Sequence, residues 1–263
     1  MSVKRILLCL LGVLLIVVLL CSALAMQPGK TAASAAPALH SITVPEDYPT
    51  AQDEDGADAF AGAMDHADSA YYAIHDFYNA VSEGDLHILP RFETYQQTTE
   101  YTCGAAAALM VLHWYGTDGY DEMQIGEMVE IDPEKGTSVE GLGAMFEALG
   151  WKVELHADTE YYFADEYEWR DFIIEHIDAG IPIMIDWTDW GGHWQVVIGV
   201  DECATEDPYD DVMILADPYD ITDHYQDGYY TYPLGRFFYM WFEGPCAAKE
   251  EPYVQPFVVA IPG

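Results

Sequence analysis

Basic residues are scarce in this chain: 9 Lys and Arg stand against 46 Asp and Glu, giving a formal charge of −37 over 263 residues. A surface so acidic repels phosphate backbones, which excludes nucleic acid as a partner class. Cysteine is rare as well, five in all, with no Cys-x-x-Cys pair, and there is no His-Glu-x-x-His helix. The usual zinc frameworks are therefore missing. The stretch "DECATEDPYDD" offers oxygen donors in Asp201, Glu202, Asp207, Asp210 and Asp211. It lacks the regular spacing of a calcium loop and reads as an ordinary acidic loop. No metal and no cofactor is expected, and no internal repeat is evident.

What is present suffices for one substantial globular domain, since 51% of residues are apolar and 14% aromatic. The domain must be sought after the first 25 residues. There "MSVKR" is basic, residues 6 to 20 are apolar, and Ala23 and Ala25 stand at a spacing that signal peptidase accepts. This segment reads as a signal peptide, or as a membrane anchor if the apolar run is continued to Met26. Leu20 before Cys21 is too large for the usual lipid-attachment pattern. Export to an extracellular or cell-surface location is the expectation, with residues 26–55 as a flexible tether. "ADAFAGAMDHADSAYYAIHDFYNAV" repeats apolar positions at helical spacing, so residues 56–87 are expected to form a helical extension. Residues 88–263 would be the main domain. Cys9 and Cys21 fall in the export segment, leaving three cysteines, an odd number. Cys203 with Cys246 is the natural disulfide pair in an exported protein, separate thiols being the alternative, and Cys103 is left as a thiol.

Within the main domain, helices are expected at Thr102 to Tyr115, Glu122 to Val129, Ser138 to Leu149 and Glu166 to Asp178. The first is apolar on every side and so should be buried on every side. Thr137 and Glu140 stand at capping-box spacing for the third. Strands are expected at Ile181 to Trp187, Trp194 to Val200, Val212 to Ala216 and Val254 to Ile261. Helices first and sheet afterwards make an α+β arrangement.

The segment "ETYQQTTEYTCGAAAALMVLHWYG" places Cys103 where a helix should begin, with Gly104 leaving room beside it. The first turn of a helix favours a thiolate through its unpaired N–H groups and dipole. A reactive thiol needs a base, and "DWTDWGGHWQVVIGVD" offers His193 after two glycines at the mouth of a strand. Asp217, in "VMILADPYD", ends the next strand and could orient the imidazole. Gln97, six residues before Cys103, could donate to an oxyanion together with the Cys103 N–H, with Gln96 as its rival. Each residue also has a plainer reading: a small buried cysteine, a strand-edge histidine, a surface amide, a turn-capping aspartate. Trp187, Trp190 and Trp194 crowd the histidine segment, as core or rim packing or as specificity elements of the cleft. His113 reads as a core histidine, and the aromatic tail from Asp223 to Phe242 as a packed loop or a peptide-contacting groove.

"QTTEYTCGAAAALMVLHWYG", "GGHWQVVIGVD" and "ILADPYD" together resemble the three motif blocks of the bacteriocin-processing peptidases that cut double-glycine leaders, within the papain-like cysteine peptidases. The resemblance covers about Ile88 to Pro218. It implies a central buried helix packed on a small antiparallel sheet, and a cysteine peptidase acting on a peptide or protein substrate. In that scheme Cys103 is nucleophile, His193 base and acid, Asp217 orienter, and Gln97 part of the oxyanion hole. The chain looks more like stand-alone, exported relatives than transporter-fused ones, so a double-glycine substrate does not follow. An inactive extracellular peptide-binding module and a cell-wall amidase or transpeptidase using the same thioester chemistry are the alternatives.

Overall fold

The computed structural model describes residues 40–43, 56–57, 75–221, 225–244 and 251–263. The chain divides into two compact units, Met1–Ala36 and Pro37–Gly263, and every described residue belongs to the second. In chain order the elements are β1 (Leu86–Ile88), α1 (Cys103–Trp114), α2 (Glu122–Met128), α3 (Val139–Ala148), β2 (Lys152–His156), α4 (Glu166–Asp178), β3 (Ile183–Trp187), β4 (His193–Asp201), β5 (Val212–Ala216), β6 (Tyr229–Pro233), α5 (Leu234–Phe238) and β7 (Phe257–Ile261). A single 3₁₀ turn, Asp189–Gly191, joins β3 to β4. Among the described residues no helix is long and apolar enough to cross a membrane.

The strands form one sheet in the order β2-β7-β3-β4-β5-β6, with β1 paired to the far end of β4, and all these pairings are antiparallel. Its centre is β4, whose first eight residues are all buried. A strand covered on both faces reads as continuous apolar sequence rather than as alternation. The register of β4 against β5 shifts between Val197 and Gly199. At Gly199 a Cβ would lie 2.6 Å from the His87 carbonyl oxygen, so the missing side chain is what admits β1. Helix α1 packs on β4, α3 on β2 and β7, and α4 on β4 and β1. Ala105, Ala106, Ala107 and Ala108 are fully buried, and their small side chains let α1 lie close to the sheet.

The expected interior strands are found with small shifts, whereas β1, β2 and β6 were not expected. Strands β2 and β6 are the two edges of the sheet and carry exposed polar positions, so they lack an apolar run. The last strand starts at Phe257 because Gln255 turns with φ +54°, leaving Val254 in an isolated bridge to Phe242. Helix α3 is capped by Ser138, which accepts from the Gly141 N–H at 3.1 Å; Thr137 lies outside the helix. The capping box belongs instead to α2, where Asp121 and Gln124 satisfy each other's N–H groups.

The expected leader and most of the expected tether and helical extension lie outside the described residues. Where the segment before the main domain is described, it departs from expectation. Residues 41 and 42 are not a free tether: Ser41 bridges Thr94, and the Ile42 N–H donates to the Thr94 carbonyl at 2.8 Å. Residues 75 to 81 are turns and irregular chain, not helix, and Leu86 and His87 belong to the sheet. Cys203 is an exposed free thiol whose Sγ donates to the Asp201 carbonyl, so the expected disulfide is not formed; Cys246 lies outside the described residues.

Candidate active site

Helix α1 begins at Cys103 itself. Its N-cap, Thr102, makes no side-chain cap bond; that hydroxyl pairs with the Thr99 hydroxyl at 2.8 Å. The first-turn N–H groups, including that of Cys103, have no acceptor within the helix and mark its positive end. Cys103 is 7% exposed. A Cβ on Gly104 would fall 2.6 Å from the Thr137 Cβ, so glycine allows residues 136–138 to close against the start of the helix.

His193 opens β4 and Asp217 follows β5 without a gap, so the antiparallel register brings them together. His193 Nε2 lies 2.7 Å from Asp217 Oδ1, both residues being buried. Nε2 is thus taken up by the carboxylate, and Cys103 acts on the imidazole as well, favouring its charged form. The carboxylate is held by two further donors: the Tyr219 N–H to Oδ1 at 2.8 Å and Gln195 Nε2 to Oδ2 at 2.8 Å. Gln195 Oε1 in turn accepts from Trp187 Nε1 at 2.8 Å. Strand alternation accounts for this chain of bonds. His193 and Gln195 stand two apart on one face of β4, and Trp187 is the cross-strand partner of His193.

Burial by itself would lower the His193 pKa, but the Asp217 charge and hydrogen bond, with Cys103 adding to them, hold it well above the usual imidazole value. For Asp217, burial would raise the pKa, and the His193 charge and the donated hydrogen bonds bring it below the ordinary carboxylate value. The two directions agree on a charged pair: imidazolium against carboxylate.

The loop entering α1 is anchored from below by Glu122, a fully buried residue of α2. Its carboxylate accepts from the Tyr95 hydroxyl at 2.8 Å, the Thr98 N–H at 3.0 Å and the Thr98 hydroxyl at 2.8 Å. Burial raises its pKa, and these bonds offset only part of that rise. Within this loop Gln97 is 1% exposed. Its N–H donates to the Pro218 carbonyl at 2.8 Å and its Nε2 to the Thr99 carbonyl at 2.7 Å, while its Oε1 is buried without a partner. One amide N–H of Gln97 remains beyond the bond to Thr99. Gln96 instead spans the turn after β5, donating to the Asp217 carbonyl at 2.8 Å and accepting from the Asp220 N–H at 3.0 Å.

Cys103 opens into a cleft of about 590 Å³ whose walls include Thr137, Ser138, Gly191, Gly192, Trp194 and Gly244. Trp194 is packed there through Nε1 donation to the Thr137 carbonyl at 2.9 Å. Trp187 is buried structure rather than rim, and of Trp190 only the backbone is described. The described residues of the aromatic tail do not line this cleft. They form edge strand β6 and helix α5, with Phe237 and Trp241 in the core. His113 is half-exposed, not core, and bonds Glu93 at 2.7 Å. Gln195, Glu122 and Thr137 were missed by sequence reasoning. Only Gln195 left a signal there, as a polar residue two positions after His193 inside an apolar strand.

The family model described as the peptidase C39-like family matches residues 90–243, which takes in the whole assembly from Gln97 to Asp217. The chain belongs to the peptidase C39-like family. As a member it is a papain-like cysteine peptidase, and its buried helix on an antiparallel sheet is the architecture that membership implies. Among solved structures it is similar to the peptidase domain of Streptococcus ComA, a bifunctional ABC transporter involved in quorum sensing, at 16% identity and a TM-score of 0.43, over 65% of this chain and 99% of that one. It is also similar to a double-glycine-motif protease from an AMS/PCAT transporter in complex with its leader peptide, at 14% identity and a TM-score of 0.42, over 65% and 91%. The peptidase domain of Streptococcus mutans ComA follows at 13% identity and a TM-score of 0.32, over 64% and 98%. No curated protein matches the chain significantly.

Proposed function

We propose that this peptidase C39-like protein hydrolyses peptide bonds with Cys103 as nucleophile, His193 as base and then acid, and Asp217 as the group that orients and charges the imidazole. The observation that carries this reading is the buried His193–Asp217 pair at 2.7 Å, whose imidazole is held in its charged form with the help of Cys103, itself a wall of the cleft. The Cys103 sulfur, having passed its proton to His193, attacks the substrate carbonyl carbon. The oxyanion takes hydrogen bonds from the Cys103 N–H and the remaining Gln97 amide N–H. Protonated His193 gives its proton to the leaving amine as the C–N bond breaks, which leaves a thioester on Cys103. His193 then removes a proton from water as its oxygen attacks the thioester, releasing a carboxylic acid and restoring the thiol.

A cellular location outside the cytosol is part of the same proposal, supported by the basic and apolar leader and the strongly acidic composition. Incubating the purified chain with a random peptide library and sequencing the products by mass spectrometry tests the chemistry. Wild type is expected to create new termini, and Cys103→Ala none. Intact peptides after wild-type treatment would favour an inactive binding module instead.

A further inference from the structure

We propose that Glu122 is a positioning residue of the reaction, one that aims the Gln97 amide at the oxyanion by fixing the peptide unit between Gln97 and Thr98. The direction in which a side chain leaves the backbone is set by the two planar peptide units that meet at its Cα. Both units flanking Gln97 are pinned. The N–H of Gln97 itself donates to the Pro218 carbonyl at 2.8 Å, one residue past Asp217. The next N–H, that of Thr98, donates to the Glu122 carboxylate, at 3.0 Å to Oε1 and 3.3 Å to Oε2. At the far end of the side chain, Nε2 bonds the Thr99 carbonyl at 2.7 Å and Oε1 is buried without a partner. Thr99 belongs to the same loop and would travel with it, so the main-chain anchors are what hold the amide in place relative to Cys103.

The fold gives Glu122 the rigidity an anchor needs. It stands between Asp121 and Gln124, whose reciprocal bonds fix the first turn of α2. That helix packs against α1, which carries Cys103. Glu122 is fully buried, and its Oε2 also accepts from the Tyr95 and Thr98 hydroxyls at 2.8 Å each. Burial pushes its pKa up, and hydrogen bonds offset only part of that rise. The position therefore does not favour a charge; what it supplies to the loop is an acceptor at a fixed reach. Gln97 is in this way set from two sides, by α2 beneath the nucleophile's helix and by the turn that follows Asp217.

The inference rests on the peptidase reading for the oxyanion, and its test keeps the two apart. p-Nitrophenyl acetate acylates a thiolate through a tetrahedral oxyanion: sulfur bonds the carbonyl carbon, the C=O electron pair moves onto oxygen and returns as p-nitrophenolate leaves, giving an acetyl thioester. Iodoacetamide alkylates the same sulfur by displacing iodide, and no oxyanion forms. Both rates are mapped to Cys103 by mass spectrometry, because Cys203 is an exposed thiol too, and each variant is assayed below its melting transition. Gln97→Ala is expected to slow acylation at least about tenfold, toward the 10²–10³ that loss of an oxyanion donor costs. Glu122→Asp keeps the charge but draws the acceptor back by one carbon, about 1.5 Å, and Glu122→Leu fills the space without an acceptor. Each should slow acylation about fivefold or more while alkylation stays within about twofold. Glu122→Gln keeps the reach without the charge and should recover acylation to within about threefold of wild type. In a Gln97→Ala background, Glu122→Asp should change acylation by less than about twofold, since the donor it aims is gone. Wild-type acylation in either Glu122→Asp or Glu122→Leu, parallel falls in both reactions, Glu122→Gln as slow as Glu122→Asp, or losses that add to those of Gln97→Ala would overturn the inference, as would a wild-type Cys103 that the ester does not acylate. A wild-type peptide digest without new termini would instead refute peptide hydrolysis and leave the acylation pattern standing.

Discussion

Asp217→Asn tests the electrostatic core of the site, because donor counting forecasts what it does. Asp217 receives three donors: His193 Nε2 and the Tyr219 N–H on Oδ1, and Gln195 Nε2 on Oδ2. Asparagine offers one acceptor oxygen. With that oxygen toward His193, its NH₂ meets the Gln195 NH₂. Gln195 cannot simply turn over, since its Oε1 accepts from Trp187 Nε1 at 2.8 Å. One buried donor is therefore stranded, at a cost of about 1–3 kcal/mol, which lowers the melting temperature by roughly 2–4 °C per kcal/mol in a chain of this size. The second effect is on charge. The carboxylate raises the His193 pKa against the opposing effect of burial, so the imidazolium persists into more alkaline solution than an ordinary histidine allows. In Asp217→Asn the imidazole should lose its proton at distinctly lower pH. Long-range ¹H–¹⁵N spectra of the His193 ring report protonation directly, and thermal melts report the stranded donor. An unchanged His193 titration would refute the electrostatic argument, and an unchanged melt the donor count.

Other consequences are as specific. Gly104→Ala should destabilise by about 1–3 kcal/mol through overpacking and push the Thr137 wall from the helix start, because its Cβ would sit 2.6 Å from the Thr137 Cβ; melts and Cys103 alkylation rates measure both. Glu122→Ala strands the Thr98 N–H and the Tyr95 and Thr98 hydroxyls in a buried void, for about 3 kcal/mol or more. Glu122→Gln should cost about 1 kcal/mol, as its oxygen keeps the fixed N–H and the hydroxyls rotate to accept from the amide; equal melts for the two variants would contradict this. Asp211 is fully buried, both its oxygens lack hydrogen-bond partners, and burial lifts its pKa to about 6 despite Arg170 nearby. A carboxyl with a folded pKa above its unfolded one favours folding when protonated, so its contribution declines as pH rises from about 3.8 to about 6 and stays lost above that. Asp211→Asn should therefore melt higher than wild type at pH 8, with the gap closing toward pH 4.

The parts of this protein that the sequence exposed were those with one dominant constraint. Helix α1 and strands β3, β4, β5 and β7 are enclosed by the core, and enclosure writes itself as unbroken apolar sequence. Cys103, His193 and Asp217 stand where such runs begin or end, which made them visible as polar residues at element boundaries. Edge strands β2 and β6 face solvent and mix polar with apolar residues, so nothing in their composition separates them from loops. Glu122 resembles any acidic helix residue, and its burial follows only from how α2 docks beneath residues 95–102. The roles of Gln96 and Gln97 could not be divided by spacing alone. What separates them is that Gln96 spans the turn after β5, whereas Gln97 keeps an amide N–H beyond its bond to Thr99.

The account turns on His193 activating Cys103, and thiol labelling compares nucleophile and base without a known substrate. Wild type and His193→Ala are treated with limiting iodoacetamide near pH 6, and the modified fraction of Cys103 is counted against that of the exposed thiol Cys203. Cys103 should react at least about tenfold faster in wild type than in His193→Ala, the loss expected on removing a general base or ion-pair partner being about 10²–10⁴ in favourable cases. Cys203 should label equally in both. Equal labelling of Cys103 in the two proteins would mean that His193 does not activate it, and the proposed mechanism would fall.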